Sequence, residues 1–274
     1  MSKIRLGLFF NNLRGLEVYK FLKKKFDIDI YLSQKNLNKK ILKFLNKDKI
    51  TIIKKIDLNL INNIKKRKYY LLITAGWPLI LPRKLFRSST KGTINLHAGK
   101  LPKYRGGSPL NWQIINNEKK IGINILKMTK NLDSGPIYCS TDFSLKNTDD
   151  ISSVHKKVNG LFPKMVSISL TKIRKGIKPK KQISNSAHKI CKQRNEPDGE
   201  IIWNKMNSLS VFNFVRAITK PYPGAYYYNK RMIKKKIYKC KLSKLNPNVL
   251  PGTEFKKNNN FYIKCKKYSI KVIK

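Results

Sequence analysis

The first 75 residues alternate between short apolar runs and segments with helical spacing of their apolar positions. The run at residues 69–74 (YYLLIT) is typical of a strand buried on both faces. Strands are predicted at residues 4–10, 28–32, 50–53 and 69–74, with helices at 15–25, 38–45 and 58–65. Strands that alternate with helices predict an α/β fold with a mostly parallel sheet and helices packed on it.

The pattern changes after residue 90, where two further strands follow one another without a helix between them. We predict strands at residues 92–97, 121–128 and 137–145, helices at 110–115 and 152–175, and loops at 98–109 and 129–136. The long helix at residues 152–175 is amphipathic, which indicates that one of its faces packs on the sheet.

The last hundred residues predict a second, smaller unit. Residues 176–199 are polar and irregular, which is typical of a linker, and residues 209–218 have helical spacing. Short β-type runs then extend to residue 273. We therefore expect a first domain over residues 1–180, a linker over 181–198 and a mainly β domain over 199–274 that resembles a small barrel.

The net charge is strongly positive, with 61 Lys and Arg residues against 14 Asp and Glu residues. Such a surface attracts phosphates and raises the possibility of a nucleic-acid binder. However, the positive residues are spread along the chain, and Lys, Asn and Ile are abundant throughout. We favour compositional drift over a dedicated nucleic-acid face. In either case, a basic surface helps to capture an anionic substrate.

Cysteine usage and apolar run lengths bear on the compartment. No two of the four cysteines form a Cys-x-x-Cys pair, and none lies at metal-ligand spacing from a histidine. The sequence therefore predicts reduced thiols and no metal site. The start, MSKIRLGLFF, is too short for a secretory segment, and no run approaches the roughly 20 apolar residues of a membrane helix. We expect a cytoplasmic protein without membrane contact.

Candidate chemistry lies at the end of the strand predicted for residues 92–97. Asn95 and His97 alternate along it and point to the same side. An amide beside an imidazole can stabilise an oxyanion and move a proton. Asp133, in the loop between the next two strands, is a candidate to orient His97 and to raise the pKa of its imidazole. On its own, so short a pattern more often marks a satisfied structural histidine than a catalytic one.

Longer motifs around these residues make the interpretation specific. Residues 97–112 read HAGKLPKYRGGSPLNW, residues 116–118 read NNE, and residues 132–137 read LDSGPI. This string closely resembles the formyltransferase family that takes its one-carbon unit from 10-formyl-tetrahydrofolate. GEIIW at residues 199–203 and PYPGA at residues 221–225 resemble the start of that family's C-terminal domain.

The resemblance implies a Rossmann-like catalytic domain, an OB-like C-terminal domain and a catalytic trio of Asn95, His97 and Asp133. It also implies 10-formyl-tetrahydrofolate as co-substrate and no metal. One departure is Gly99-Lys100, where the family usually has Ser-Leu, so any role of the missing Ser side chain is in doubt. The residues that the resemblance implies for cofactor binding are Leu79, Ile80, Leu81, Pro102, Thr129, Asn131 and Leu132.

The resemblance leaves the amine acceptor open. Methionyl-tRNA formyltransferases share the two-domain plan and fit the basic charge, but the basic insertion they carry after the second strand is not visible at residues 32–40. Sugar N-formyltransferases acting on nucleotide-linked amino sugars lack that insertion, and RNEPDGEIIW at residues 194–203 resembles their entry to the second domain. We favour the sugar, with Lys100, Lys103 or Arg105 as candidates to meet its diphosphate.

Two further expectations concern partners and activity. A catalytically inactive, basic RNA-binding protein on the same fold is an alternative, although such a protein would be expected to have lost one of the trio. The sequence leaves a homodimer open as an assembly.

Overall fold

The computed structural model describes residues 3–45, 48–183 and 189–273. Its central feature is a seven-stranded sheet with the strand order β3-β2-β1-β4-β5-β6-β7. The strands are β1 (Arg5–Phe10), β2 (Asp27–Ser33), β3 (Ile50–Ile53), β4 (Leu71–Ala75), β5 (Thr93–His97), β6 (Lys120–Lys127) and β7 (Ile137–Ser144). β1 to β5 pair in parallel, whereas β6 runs antiparallel to β5.

Six helices connect or follow these strands. They are α1 (Leu13–Leu22), α2 (Lys39–Phe44), α3 (Leu58–Lys66), α4 (Arg83–Phe86), α5 (Pro109–Ile115) and α6 (Ile151–Arg174). Asn12, Asn38 and Asp57 cap the first three, each accepting a hydrogen bond from a backbone N–H of the first turn. The short helix α4 was not predicted, because only one turn separates Pro82 from the polar segment that follows.

The sheet buries its apolar strands as the sequence predicts. All five residues of β4 are buried, and five of the six in β1 are buried. Along α6, buried side chains mostly recur at intervals of three or four positions, which confirms the predicted amphipathic helix; they include Ile151, Val154, Val158, Phe162, Met165, Val166, Leu170 and Ile173.

One aromatic-rich cluster lies on the sheet face that matters for the site. It contains Phe9, Tyr31, Tyr69, Leu72 and Leu81, among others, and Leu79, Trp77 and Met128 pack against it. The rings of Phe9 and Tyr31 stack with centroids 4.5 Å apart. This cluster anchors both the segment after β4 and the residue that follows β6.

The C-terminal part is mainly β. It contains the helix α7 (Ser208–Ile218), a hairpin of β8 (Ala225–Tyr228) and β9 (Lys234–Ile237), and a four-stranded antiparallel sheet. That sheet has the order β10-β13-β12-β11, formed by Cys240–Ser243, Ser269–Val272, Asn260–Lys264 and Glu254–Lys257. The predicted fold class, a mostly parallel α/β sheet with a small β domain, is confirmed.

The chain divides into two compact units. The first comprises residues 1–105, 122–142 and 157–189, and the second comprises residues 106–121, 143–156 and 190–274. The domain boundaries expected from the sequence stay a prediction. Of the predicted linker, residues 184–188 lie outside the described residues, and Glu196–Gly199 forms a 3-10 helix. Among the described residues, no helix is long and apolar enough to cross a membrane.

Candidate active site

β5 carries the two strand residues of the predicted trio on the face that bears the aromatic cluster. His97 is 5% exposed, and Asn95 is half-buried. The neighbouring strand β4 fixes the amide of Asn95, because the Thr74 hydroxyl donates to its Oδ1 at 2.8 Å. This contact leaves the Asn95 nitrogen to face the loop that follows β6.

Asp133 joins these residues from that loop. Its Oδ1 accepts a hydrogen bond from Asn95 Nδ2 at 3.1 Å, and its Oδ2 lies 3.3 Å from His97 Nδ1. The structure therefore brings the three predicted residues together, although Asp133 is 36 positions from His97 in sequence.

The backbone geometry of the loop accounts for two residue types in its Asp-Ser-Gly-Pro sequence. Asp133 has φ of 47°, a left-handed conformation that Asp tolerates better than most residues. A Cβ at Gly135 would lie 1.7 Å from the carbonyl oxygen of Lys127, so only glycine fits there. The Pro136 carbonyl accepts from the Lys127 N–H at 2.8 Å, which closes the loop onto the end of β6.

Both ring nitrogens of His97 face an acceptor. Nε2 lies 2.6 Å from the backbone oxygen of Tyr104, so Nε2 carries a hydrogen and donates it. Nδ1 faces the Asp133 carboxylate, and a second proton is needed between these two groups for a favourable contact. The imidazole and the carboxylate are therefore placed so that one proton can lie between them.

The pKa of His97 corrects one expectation. The sequence predicts that Asp133 keeps this pKa up, and the carboxylate does act in that direction. Burial of the imidazole has the larger effect, however, and lowers the pKa below its ordinary value, with the Arg14 guanidinium acting in the same direction. The prediction was wrong in its net direction, because an isolated pair of residues gives no measure of desolvation.

The residues implied for cofactor binding differ in the exposure of their side chains. Ile80 is 92% exposed and Leu132 is 57% exposed, whereas Leu81 is buried in the aromatic cluster and Leu79 packs against it. Pro102 follows a cis peptide bond in the loop after β5. Thr129 and Asn131 shape the loop of Asp133, since the Thr129 hydroxyl donates to the Asn131 oxygen at 3.3 Å. Their binding role stays a prediction.

A basic cleft of about 850 Å³ lies beside this loop, in the same compact unit. Its lining includes Thr129, but neither Asn95, His97 nor Asp133. No acidic residue is among the described residues that line it, whereas six basic residues are: Arg83, Arg87, Lys91, Lys127, Lys130 and Lys178. With 61 basic residues in the chain, such a lining is what composition alone would produce.

Sequence reasoning missed three partners of the trio. Thr74 ends the predicted strand at residues 69–74, so its place on the neighbouring strand was a usable signal. Tyr104 acts through its backbone oxygen, which leaves no signal in residue type. Gln182 donates to the backbone of the Asp133 loop from a segment predicted to be a linker. Of the candidate diphosphate contacts, Arg105 donates to the Gln182 side chain.

This arrangement can polarise a carbonyl and move a proton. An oriented amide nitrogen, a buried imidazole and a carboxylate meet in a space of a few ångströms. Fixed donors in such a buried site are worth more than in water, because they need no reorganisation as charge develops. No group of three or more metal-binding side chains occurs among the residues that the structure describes.

Comparison with known proteins identifies the class. The formyl transferase family matches residues 27–168. The methionyl-tRNA formyltransferase of Caldanaerobacter subterraneus subsp. tengcongensis is 31% identical over 218 residues, which cover 78% of this chain and 68% of that protein. The bifunctional polymyxin resistance protein ArnA of Wigglesworthia glossinidia brevipalpis is 31% identical over 251 residues, 90% of this chain but 38% of that protein.

A solved structure shares the fold over nearly the whole chain. It is the N-formyltransferase of Helicobacter canadensis in complex with folinic acid and dTDP-3-aminofucose, with a TM-score of 0.74 and 17% identity over 98% of each chain. The chain thus belongs to the formyl transferase family, and the family predicted from the motifs at residues 97–137 is confirmed. With that family comes the enzyme class, a one-carbon transferase.

Proposed function

We propose that this chain transfers a formyl group from 10-formyl-tetrahydrofolate to the primary amine of a nucleotide-linked amino sugar. The observation that carries the proposal is the convergence of Asn95, His97 and Asp133 in one buried cluster. A structural histidine needs one partner, whereas here an oriented amide, an imidazole and a carboxylate all face one another. A decayed, RNA-binding relative would not be expected to retain all three.

Asn95 serves as the donor to the developing oxyanion. One of its amide hydrogens is held by Asp133 Oδ1 and its oxygen by Thr74, so the second hydrogen has a fixed direction. One such donor lowers the barrier by about 3 kcal/mol in comparable sites. 10-Formyl-tetrahydrofolate, when bound, supplies the formyl group and a nitrogen that can leave.

His97 and Asp133 serve as the proton carriers. Transfer removes one proton from the attacking amine and delivers one to the departing nitrogen, so the pair returns to its starting state. Burial lowers the pKa of His97, which favours release of a proton that the imidazole has accepted. The nearby carboxylate stabilises the imidazolium while the proton is held.

The loops fit a flat apolar ring. Ile80 and Leu132 have large, exposed apolar side chains. Both lie on segments that are anchored in the same aromatic cluster, the first by Leu81 and the second by Met128. Covering two such side chains with a pterin removes apolar area from water, which favours binding. In this proposal Leu79 and Leu81 support the wall, and Thr129 and Asn131 hold the loop of the opposite wall.

A second acceptor, methionyl-tRNA, is favoured by a separate observation. The curated relative from Caldanaerobacter is a methionyl-tRNA formyltransferase at 31% identity, and the chain carries 47 more positive than negative charges. The sugar is supported by the likeness in fold to the Helicobacter enzyme, whose structure holds dTDP-3-aminofucose, and by the short segment after β2, which has no room for a basic insertion.

A substrate panel decides between these acceptors. Purified protein is incubated with 10-formyl-tetrahydrofolate and either methionyl-tRNA or one of several nucleotide-linked amino sugars, and tetrahydrofolate release is measured. We expect turnover with an amino sugar and none with tRNA beyond the Asp133→Asn control. If only methionyl-tRNA is formylated, methionyl-tRNA is the acceptor. If no amine is formylated, the proposed formyltransferase activity is refuted.

A further inference from the structure

Gln182 makes four hydrogen bonds to residues around the candidate active site. The contacts among Asn95, His97 and Asp133 do not include it. Its Nε2 donates to the backbone oxygens of Asp133 at 2.9 Å and Gly135 at 2.7 Å. Its Oε1 accepts from Arg105 Nε at 3.2 Å and Nη2 at 2.9 Å. Both amide hydrogens and the amide oxygen are thus used, which fixes the orientation of the side chain.

Backbone hydrogen bonds outside the trio position Gln182. After α6 the chain returns along the start of β7, where Lys180 and Ile137 exchange two backbone hydrogen bonds of 2.9 and 2.7 Å. Two residues later, the Gln182 side chain meets the loop. This segment lies beyond residues 27–168, the part of the chain that matches the family.

These contacts close a ring around the imidazole. His97 Nε2 donates to the oxygen of Tyr104, and the next residue, Arg105, donates to Gln182. Gln182 in turn donates to the backbone of Asp133, whose carboxylate faces His97 Nδ1. Both ring nitrogens of His97 are therefore held by groups that are tied to each other through one glutamine.

We propose that Gln182 is a positioning residue, which holds the Asp133 carboxylate against His97 and locks the loop of residues 129–136 to the segment after β5. The inference rests on the proposed function for its catalytic consequence, but not for its structural content. Asp133 sits in a left-handed conformation, and the two bonds to the Asp133 and Gly135 oxygens stabilise that loop shape. Without them the loop is held less firmly, and the carboxylate can shift away from the ring.

Only a side chain with both a double donor and an acceptor can fill this position. Gln182→Met keeps the length of the side chain and removes every hydrogen bond. Gln182→Glu keeps an acceptor for Arg105 but turns a charged oxygen toward two carbonyl oxygens. Ile183→Ala is the matched control, since the neighbouring Ile183 side chain is 86% exposed.

The experiment measures the pKa of His97 by NMR and turnover on the same proteins. The chain has three histidines, and the spectrum of His97→Gln assigns the signal. The charged groups facing the imidazole are the Asp133 carboxylate, which raises its pKa, and the Arg14 guanidinium, which lowers it. We expect Gln182→Met to lower the pKa of His97 by about half a unit, because the carboxylate moves away. We also expect kcat to fall about tenfold with KM within twofold.

A double mutant tests whether Gln182 affects turnover through Asp133. If Gln182 acts through Asp133, then Gln182→Met costs less than twofold in kcat when Asp133→Asn is already present. An unchanged pKa of His97 in both Gln182→Met and Gln182→Glu overturns the proposal, whatever the turnover. A lowered pKa in an enzyme whose Asp133→Asn variant is fully active supports the positioning of Asp133 and refutes its proposed role as a proton carrier, whereas no turnover of the wild type with any amine refutes the proposed function.

Discussion

Replacement of Asp133 by Asn tests the proposed proton carrier with little disturbance of the fold. The amide oxygen can still accept from Asn95, whose orientation Thr74 fixes. The new amide nitrogen then faces His97 Nδ1. Since Nε2 already donates to the Tyr104 oxygen, the neutral imidazole has its lone pair at Nδ1 and accepts this hydrogen. All hydrogen bonds of the cluster survive, and we expect the free energy of unfolding to change by less than about 1 kcal/mol.

The same substitution removes the charge on which proton transfer depends. Without the carboxylate, the imidazolium loses the group that does most to raise the pKa of His97; the hydrogen bond to the Tyr104 oxygen still raises it, while burial and Arg14 continue to lower it. Proton transfer by a positioned side chain contributes about 10²–10⁴-fold to turnover. We therefore expect Asp133→Asn to lower kcat at least about 100-fold, a loss of about 2.7 kcal/mol of transition-state stabilisation.

The assay is single-turnover formyl transfer with the best amine of the panel, together with thermal unfolding of each variant. Asp142→Asn, which removes an exposed carboxylate of β7, is the matched control and should match the wild type. A rate for Asp133→Asn within a few-fold of the wild type would refute the reasoning. A large fall in stability would show instead that the charge holds the fold together.

Three further predictions test the fold, the buried histidine and the charge. Gly15→Ala places a Cβ 2.1 Å from the Phe10 Cβ, so we expect a loss of about 1–3 kcal/mol in denaturant unfolding. The pKa of His97 is lowered in the folded state, so the unfolded chain binds a proton at this residue first as the pH falls. Between pH 7.5 and 5.5, the free energy of unfolding of the wild type should therefore fall by about 1 kcal/mol relative to that of His97→Gln, as measured by urea unfolding. Charge reversal at Lys39 and Lys40 should leave sugar turnover intact, whereas a large loss with tRNA would favour the tRNA acceptor.

The periodicity of the chain predicted most of the sheet because its strands are apolar throughout. The predicted strand at residues 50–53 has the same bounds as β3, and the strand at 92–97 differs from β5 by one residue. The one-turn helix α4 and residues 176–183 escaped prediction for the same reason. Their conformation is set by packing and by single hydrogen bonds to distant segments, and neither leaves a repeating pattern in the sequence.

The candidate site was predictable in identity but not in energetics. Motif resemblance selected Asn95, His97 and Asp133, which the fold brings together. It could not give the direction of the pKa of His97, because desolvation depends on everything that covers the ring. Nor could it reveal the Tyr104 oxygen or Gln182, since a backbone acceptor and a polar residue in an irregular segment have no signature of their own.

The change of strand direction after β5 decides where the loop that carries Asp133 begins. In an all-parallel sheet, the loop after the next strand would leave from the same edge as the loop after β5. Because β6 runs antiparallel, its last residue, Lys127, lies beside Ile94, and the chain emerges below Asn95. The loop then joins β6 to its neighbour β7, and the Lys127 N–H donates to the Pro136 oxygen across its base. Gly135 lies against the Lys127 oxygen, where no side chain fits, and Asp133, two residues earlier, contacts Asn95 and His97 at the middle and end of β5. The topology thus places the loop of Asp133 beside β5, and the close approach of Gly135 to Lys127 keeps that loop compact.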